Sequence, residues 1–410
     1  MYSDLRSKLE MYKKNIHDVK PDKKTENPGL IDIEGGTLQY NAAGPFFVIE
    51  NQFPYPHEHG YCNLQDILNM DITPVLKVCR EASSSPGIHD LVFLDTETTG
   101  LSVGTGTIAF LIGIGYFTSD TFVLRQYLIR DYNEETAVLT DLNGTLSRYK
   151  GLVTFNGKAF DWNLLTSRFI FNRIRPLLKN PVHLDLLYPS RMLWKRKLES
   201  CRLSSLEDNI LGIHRVDDIP GAFIPGIYFR YLSDRNTKDL KKVIEHNRLD
   251  VLSMVSLMVK INSVLDNPCT CASDSWELFS AGQILEKFDD SNTALRCYEQ
   301  CAALQSGTVK EAALKRLSMY YKGQKDFIKS ANCLETLLSC STWKNIPVMI
   351  ELAKLYEHRI KNFPRACELV QEAIKACLMM AFLRNAYYED LSKRLERLKR
   401  KSEMHCLRHR

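Results

Sequence analysis

At 410 residues the chain exceeds what one ordinary core serves, so two or three domains are expected. Its composition, 44% hydrophobic and 25% charged, is that of a globular protein. No apolar run reaches the roughly 18 residues of a bilayer-spanning helix, and a net charge of +5 is too small to argue for a polyanionic partner by itself.

Residues 1–27 are charged, and MYSDLRSKLEMYKKNIHDVKPDKK lacks the apolar centre of a secretory signal, so a cytoplasmic location is expected. The twelve cysteines are scattered without a CxxC pair, which predicts reduced thiols rather than disulfides or a zinc site. Residues 28–60, rich in glycine and aromatics, read as short strands and turns. The group His57, Glu58 and His59 reads as a surface turn rather than a metal site. Residues 1–88 are therefore taken as a partly β N-terminal extension with no assignable role.

The next segment has a clear order. Apolar runs at 91–95, 108–117 and 122–129 are joined by short connections, which predicts an antiparallel meander. A helical pattern over 134–148 leads to a short buried strand, GLVTF (151–155). A helix follows in AFDWNLLTSRFIFNRI, then a strand in VHLDLL (182–187) and further helices. The last is the amphipathic run 238–261. Three antiparallel strands followed by alternating helix and strand predict an α/β domain of the ribonuclease-H-like kind over 89–265. GTGT (104–107) lacks the phosphate-loop pattern and reads as a turn.

After a linker at 266–275, residues 276–400 repeat. Ala294, Tyr298 and Cys301 recur as Ser330, Leu334 and Leu337, and again as Ala366, Val370 and Ala373, 36 residues apart each time. This resembles the tetratricopeptide repeat, whose period is about 34 residues. Such a surface implies a peptide or protein partner. Residues 393–410 carry eight Lys/Arg and two Glu, a charge of +6. That basic end, with 401–410 as its tail, suits a polyanion or a solvated helix end.

Two carboxylates, Asp95 and Glu97, interrupt the first strand. Residues i and i+2 of a strand face one side, and two acids so placed repel unless a cation sits between them. Mg²⁺ or Mn²⁺ suits such oxygen ligands. Asn156 and Asp161 follow the next strand in LVTFNGKAFDWNLL, where Asp161 also suits a helix cap. His246 and Asp250, in HNRLD, lie at i and i+4 on one helix face. Each motif alone is weak; together, in this order, they are specific.

The order and the segments FLDTETTGL, GTGTIAFLIGIGYF, LVTFNGKAFDWNLL, HLDLLYPSRMLW and HNRLDVLSM resemble the DEDD superfamily of 3′–5′ exonucleases, and within it the YprB-type predicted exonucleases with a tetratricopeptide-like C-terminal part. The resemblance spans most of the chain beyond about residue 30. It implies that Asp95, Glu97, Asp161 and Asp250 hold two divalent ions, that His246 is the general base, and that Asn156 lies beside the site. It further implies that Thr98, Thr99 and Gly100 line the terminal nucleotide. One departure is that His246 precedes Asp250 by four residues, where the histidine-type branch has five and the tyrosine-type branch has four. Glu245 points about 100° away and is not its substitute. The basic segment 190–202 adds Arg191 and Trp194 as candidate contacts to phosphate and base, against the alternative of a solvated basic face and a core tryptophan. Asp185 is expected to support the site rather than join it. The expected partner is nucleic acid, DNA or RNA, at a single-stranded end. An endonuclease and a non-catalytic adaptor are the competing readings.

Overall fold

The structure is a computed structural model that describes residues 33–81, 86–100, 106–288, 290–340, 345–379 and 381–408. The chain divides into two compact units. One comprises residues 1–189 and 202–260, the other residues 190–201 and 261–410.

The first unit is built on a seven-stranded mixed sheet. Its strands are β1 (Gly36–Asn41), β2 (Gly44–Pro54), β5 (Leu91–Thr98), β6 (Ala109–Phe117), β7 (Thr121–Leu128), β8 (Gly151–Thr154) and β9 (Val182–Asp185), in the order β1-β2-β7-β6-β5-β8-β9. A separate two-residue ladder pairs β3 (Glu58–His59) with β4 (Cys62–Asn63). Strands β5, β6 and β7 form the antiparallel meander, and β8 and β9 extend it in parallel. The central strands are apolar runs because both faces are covered: Leu91–Leu94 and all of β8 are buried.

The sheet reaches further than the meander suggests. Residues 36–54 are not loose short strands; the eleven-residue β2 pairs antiparallel with β7 along eight residues, and β1 closes that edge. The run Phe46–Ile49 is buried on both faces, which anchors this segment in the main core.

Helices α2 (Glu135–Leu146), α3 (Asp161–Phe171) and α5 (Ile224–Asp234) follow α1 (Thr73–Val78) and flank the sheet, with α4 (Leu187–Trp194) after β9. Phe110 of β6 stacks on Tyr228 of α5 with ring centroids 4.0 Å apart. The long α6 (Lys238–Asp266) contributes Leu240, Val243 and Ile244 to the same core. Its close approach depends on two glycines of β6. A β-carbon on Gly113 would overlap the Asn247 side chain, and one on Gly115 would stand 2.7 Å from Val251 Cγ1. Gly113 and Gly115 lie on one face of β6, and Asn247 and Val251 on one face of α6.

The second unit is helical. Its helices are α7 (Ser275–Lys287), α8 (Ser291–Ala302), α9 (Thr308–Gly323), α10 (Phe327–Cys340), α11 (Ile346–Leu355), α12 (Phe363–Leu378) and α13 (Ala381–Arg408). The 36-residue register has a packing cause: Ala294, Ser330 and Ala366 are buried at equivalent places, as are Tyr298, Leu334 and Val370. Three cations of the basic end are committed within this unit. Arg394, Arg397 and Lys401 converge on the buried Glu357 at 2.7, 2.9 and 2.8 Å. Burial works against that carboxylate's charge, but the hydrogen bonds from Arg397 and Lys401 hold it down at about 2. These three cations are thus partnered, and the segment is helical to Arg408 rather than frayed.

Gly113→Ala is expected to destabilise the protein by about 1–3 kcal/mol, because the new methyl must displace Asn247. Gly144→Ala, which meets nothing on the exposed side of α2, is expected to be neutral or to stabilise by about 0.5–1 kcal/mol. Urea unfolding midpoints of the two variants test the contrast.

Candidate active site

The site forms where β5 outruns its parallel neighbour. Pairing of β5 with β8 ends at Phe93 opposite Val153, whereas pairing with β6 continues to Thr98. The carboxyl end of β5 is therefore open on one side, the usual place for a ligand crevice in such sheets. Asp95 and Glu97 stand there.

Asp95 lies opposite Gly113, and Gly113 lies opposite Gln126. The buried Asn247 fills the space over the glycine. Its Nδ2 donates to Asp95 Oδ2 at 2.8 Å, and its Oδ1 accepts from Gln126 Nε2 at 2.8 Å. Gln126 also donates to the carbonyl of Ile244 at 2.8 Å. One orientation of Asn247 is thereby fixed, and with it one oxygen of Asp95.

Asp161 opens α3. Thr96, the residue between the two strand acids, donates its hydroxyl to Asp161 Oδ1. The loop before it is held by Asp185, whose carboxylate accepts the N–H groups of Asn156, Lys158 and Leu187 at 2.7, 3.2 and 3.1 Å. Asn156 adopts φ 67°, and a side chain on Gly157 would come within 2.6 Å of Thr154 Cβ and 2.9 Å of Asp161 Oδ2. Asp185 thus braces the loop that aims Asp161, and Asn156 is a turn residue beside the site.

From α6, His246 Nε2 lies 3.8 Å from Glu97 Oε1 and 3.6 Å from Asp250 Oδ2. Among the described residues, Glu97, His246 and Asp250 are the group whose ligand atoms all fall within 4.8 Å of one another. Three further residues complete the surroundings, and sequence reasoning missed them. Arg215 donates from Nη2 to Asp250 Oδ1, and through Nε and Nη2 to the buried Glu207 at 2.7 and 2.5 Å. Asp218 accepts from Arg215 Nη1 at 3.4 Å and lies 2.6 Å from His246 Nδ1. Glu207 sits in a π turn, Glu207–Leu211. Isolated acids and an arginine in a loop leave no pattern in a sequence; Arg215 and His246, 31 residues apart in the chain, are brought to 3.3 Å by the fold.

The ladder at 57–63 also differs from a free surface turn. His59 Nε2 lies 3.0 Å from Ser253 Oγ, and the His59 carbonyl accepts from Ser256 Oγ at 2.9 Å. Burial is the main force lowering the His59 imidazole to about 4, helped by His57, Arg215 and Arg248.

Burial and mutual repulsion set the electrostatics. Desolvation pushes the Asp95 carboxyl well up, and the charges of Asp250 and Asp161 add to it against the Asn247 bond and Arg215. Glu97 is pushed up by burial and by Asp95, Asp250 and Asp161. Asp161 is raised to about 6, chiefly by burial, against the Thr96 bond. Acids so placed are poised for a cation that neutralises several at once. The grouped donors, two carboxylates and one imidazole, fit a divalent metal, while Asp95 and Asp161 lie outside that group.

The remaining expected contacts separate from this cluster. Thr98 donates to the Gly100 carbonyl at 2.7 Å, and Thr99 Oγ1 accepts the Ile108 N–H at 3.0 Å, forming a turn beside the acids. Residues 104 and 105 of GTGT lie outside the described residues. Trp194 is fully buried and donates Nε1–H to Glu277 Oε1 at 2.9 Å, so it offers no face to a base. Its neighbours are also engaged in the second unit: Arg196 stands over Trp276 and Phe279, and Lys197 pairs with Asp274 at 2.7 Å. Arg191 is exposed and belongs to that unit. Trp194 is thus a core side chain of that unit, with Arg196 and Lys197 engaged beside it.

The fold and this cluster of acids define the class: a family profile described as RNase_H superfamily matches residues 92–262. The chain is also 30% identical over 357 residues, 86% of its own length and 85% of the relative's, to the uncharacterized protein YprB of Bacillus subtilis (strain 168). It belongs to the RNase_H superfamily and, within it, with YprB-type proteins. No helix among the described residues is long and apolar enough to cross a membrane.

Raised carboxyls hold protons that the unfolded chain has released. They contribute nothing below the ordinary carboxylate range near 4. They destabilise increasingly as pH rises from there toward their folded values, about 6 for Asp161, and the loss levels off above them. Glu97→Gln removes one charge from the cluster. In EDTA at pH 8 it is expected to melt about 2–4 °C above the parent, with the difference shrinking toward zero at pH 4. Thermal melts across that range check the sign.

Proposed function

We propose that the protein is a metal-dependent nuclease that hydrolyses phosphodiester bonds from a 3′ end. The observation that carries this reading is convergence: acids from three distant segments, Asp95 with Glu97, Asp161, and Asp250, act on one another electrostatically at the open end of β5. A repulsive cluster in a half-buried place lowers stability and has no structural use of its own.

In this reading Asp95, Glu97, Asp161 and Asp250 hold two divalent ions, Mg²⁺ or Mn²⁺. Metal held by these residues would supply Lewis acidity toward a water molecule and the phosphate. The chain's own residues set the geometry. Asn247 holds Asp95 in one orientation, Thr96 holds Asp161, and Arg215 holds Asp250. The turn of Thr98, Thr99 and Gly100 borders the acids and would meet the terminal nucleotide. Asn156 and Asp185 keep the Asp161 loop in place. The resemblance of the four acids and their order to the DEDD exonucleases supports 3′–5′ action over internal cleavage. The buried 36-residue register of the second unit supports a tetratricopeptide-like scaffold for a protein partner.

The test is incubation of the full chain with Mn²⁺ and 5′-labelled single- and double-stranded DNA and RNA. A descending ladder is expected from the preferred nucleic acid. Asp95→Asn is expected to reduce its rate by more than about a thousandfold, a rise of ~4 kcal/mol in the barrier, while the variant still melts cooperatively. Discrete internal products would replace this reading with an endonuclease. Parent-like cleavage by Asp95→Asn would remove the site assignment. Absence of cleavage despite bound metal would favour a nucleic-acid-binding adaptor.

A further inference from the structure

Both ring nitrogens of His246 face carboxylates, but in different ways. Nδ1 lies 2.6 Å from Asp218 Oδ1. An ionised carboxylate only accepts, so in a neutral ring bonded to it Nδ1 would be the protonated nitrogen. Arg215 Nη1 lies 3.3 Å from the same nitrogen and 3.4 Å from Asp218 Oδ2, while Asp218 Oδ1 is the nearest neighbour of Nδ1. The neutral ring then presents a lone pair at Nε2. That atom points at Glu97 Oε1 and Asp250 Oδ2 from 3.8 and 3.6 Å, both too long for hydrogen bonds. Nε2 and one oxygen of each carboxylate thus face one another across a single gap, all within 4.8 Å.

The four-residue spacing produces this geometry. On a helix, i and i+4 stand one above the other, so the imidazole lies over the carboxylate of Asp250. A general base has to reach a water molecule outside the metal's fixed ligands. Nε2 instead points inward among them.

We propose that His246 is a metal ligand rather than a general base, with Nε2 joining Glu97 and Asp250 in one donor set and Asp218 acting as the residue that positions the ring. A ligating histidine characteristically donates its other N–H to a carboxylate, as His246 does to Asp218. An imidazole in the set moves preference from Mg²⁺, which favours oxygen donors, toward first-row transition ions such as Mn²⁺. The proposal rests on the metal site of the nuclease reading, but it is decided without turnover.

The experiment is pulsed electron paramagnetic resonance of the full chain loaded with Mn²⁺, with calorimetric titration of Mn²⁺ and Mg²⁺ alongside. The parent is expected to show the nitrogen coupling of a directly bound imidazole. His246→Gln is expected to lose it and to bind Mn²⁺ at least about tenfold more weakly, with a smaller change for Mg²⁺. Asp218→Asn keeps the imidazole but loosens its support, and is expected to weaken Mn²⁺ by about 10–100-fold. It serves as the second variant if His246→Gln does not fold. Mn²⁺ bound without nitrogen coupling in the parent would overturn the ligand role and leave the nuclease reading standing. No binding of either ion would overturn both.

Discussion

The organisation of the first unit turns on one close approach, that of α6 to β6. Two glycines, Gly113 and Gly115, remove the side chains that would hold the helix off the sheet. In their absence Asn247 and Val251 descend onto the strand, and His246 and Asp250 are carried toward Glu97. The candidate site residues of α6 and of β5 therefore meet because two positions on a third element carry no side chain. The same approach settles the internal bonding. Asn247 is buried, and each polar end finds a partner, Gln126 on one side and Asp95 on the other. A buried amide with only one of those bonds would destabilise the contact by about 1–3 kcal/mol.

Bringing the acids together creates a debt of repulsion that the surrounding chain partly offsets. Arg215 is always cationic and joins Asp250 to the buried Glu207 and to Asp218. Burial raises the Glu207 carboxyl, while the hydrogen bonds and charge of Arg215 and a bond from Ser253 oppose it. Ser253 in turn meets His59. The N-terminal segment, which gave no hint of function, is thus bonded to the same helix that carries Asp250. Its second attachment is the N–H of Tyr61, which donates to the carbonyl of Leu211 at 2.9 Å in the turn after Glu207. The route from the N-terminal ladder to the acids is a chain of short, buried polar contacts rather than a single interaction.

Much of the architecture was legible in the sequence because it rests on local patterns. Apolar runs marked β5 to β9 within one or a few residues, and the i, i+2 and i, i+4 spacings marked Asp95 with Glu97 and His246 with Asp250. Residues whose role depends on a distant partner were not legible. Arg215, Asp218 and Asn247 occupy no motif, and the glycines of FLIGIGYF read as ordinary strand residues. The eleven residues of β2 were underestimated because the glycine- and aromatic-rich text of 28–60 reads as short strands and turns, whereas Pro45 and Pro54 lie near the strand's ends, where a missing N–H is tolerated. Trp194 misled in the other direction. A tryptophan in a basic stretch resembles a stacking platform, but its indole N–H found a buried acid, Glu277, 83 residues away.

The basic C-terminal helix follows the same logic as Arg215. Charge in a sequence is a statement about composition, whereas charge available to a ligand is what remains after internal pairing. Glu357 gathers Arg394, Arg397 and Lys401 into one cluster, a geometry in which each cation loses less freedom because its partner is already fixed by the others. Arg215 is the inverse case, one cation shared by three carboxylates. Both clusters are buried on the minority side of the charge and more exposed on the majority side at Glu357, but at Arg215 the surplus is negative and points into the crevice. Only the second arrangement leaves unneutralised donors in a place that a cation can reach. That difference separates a structural ion cluster from a site for chemistry.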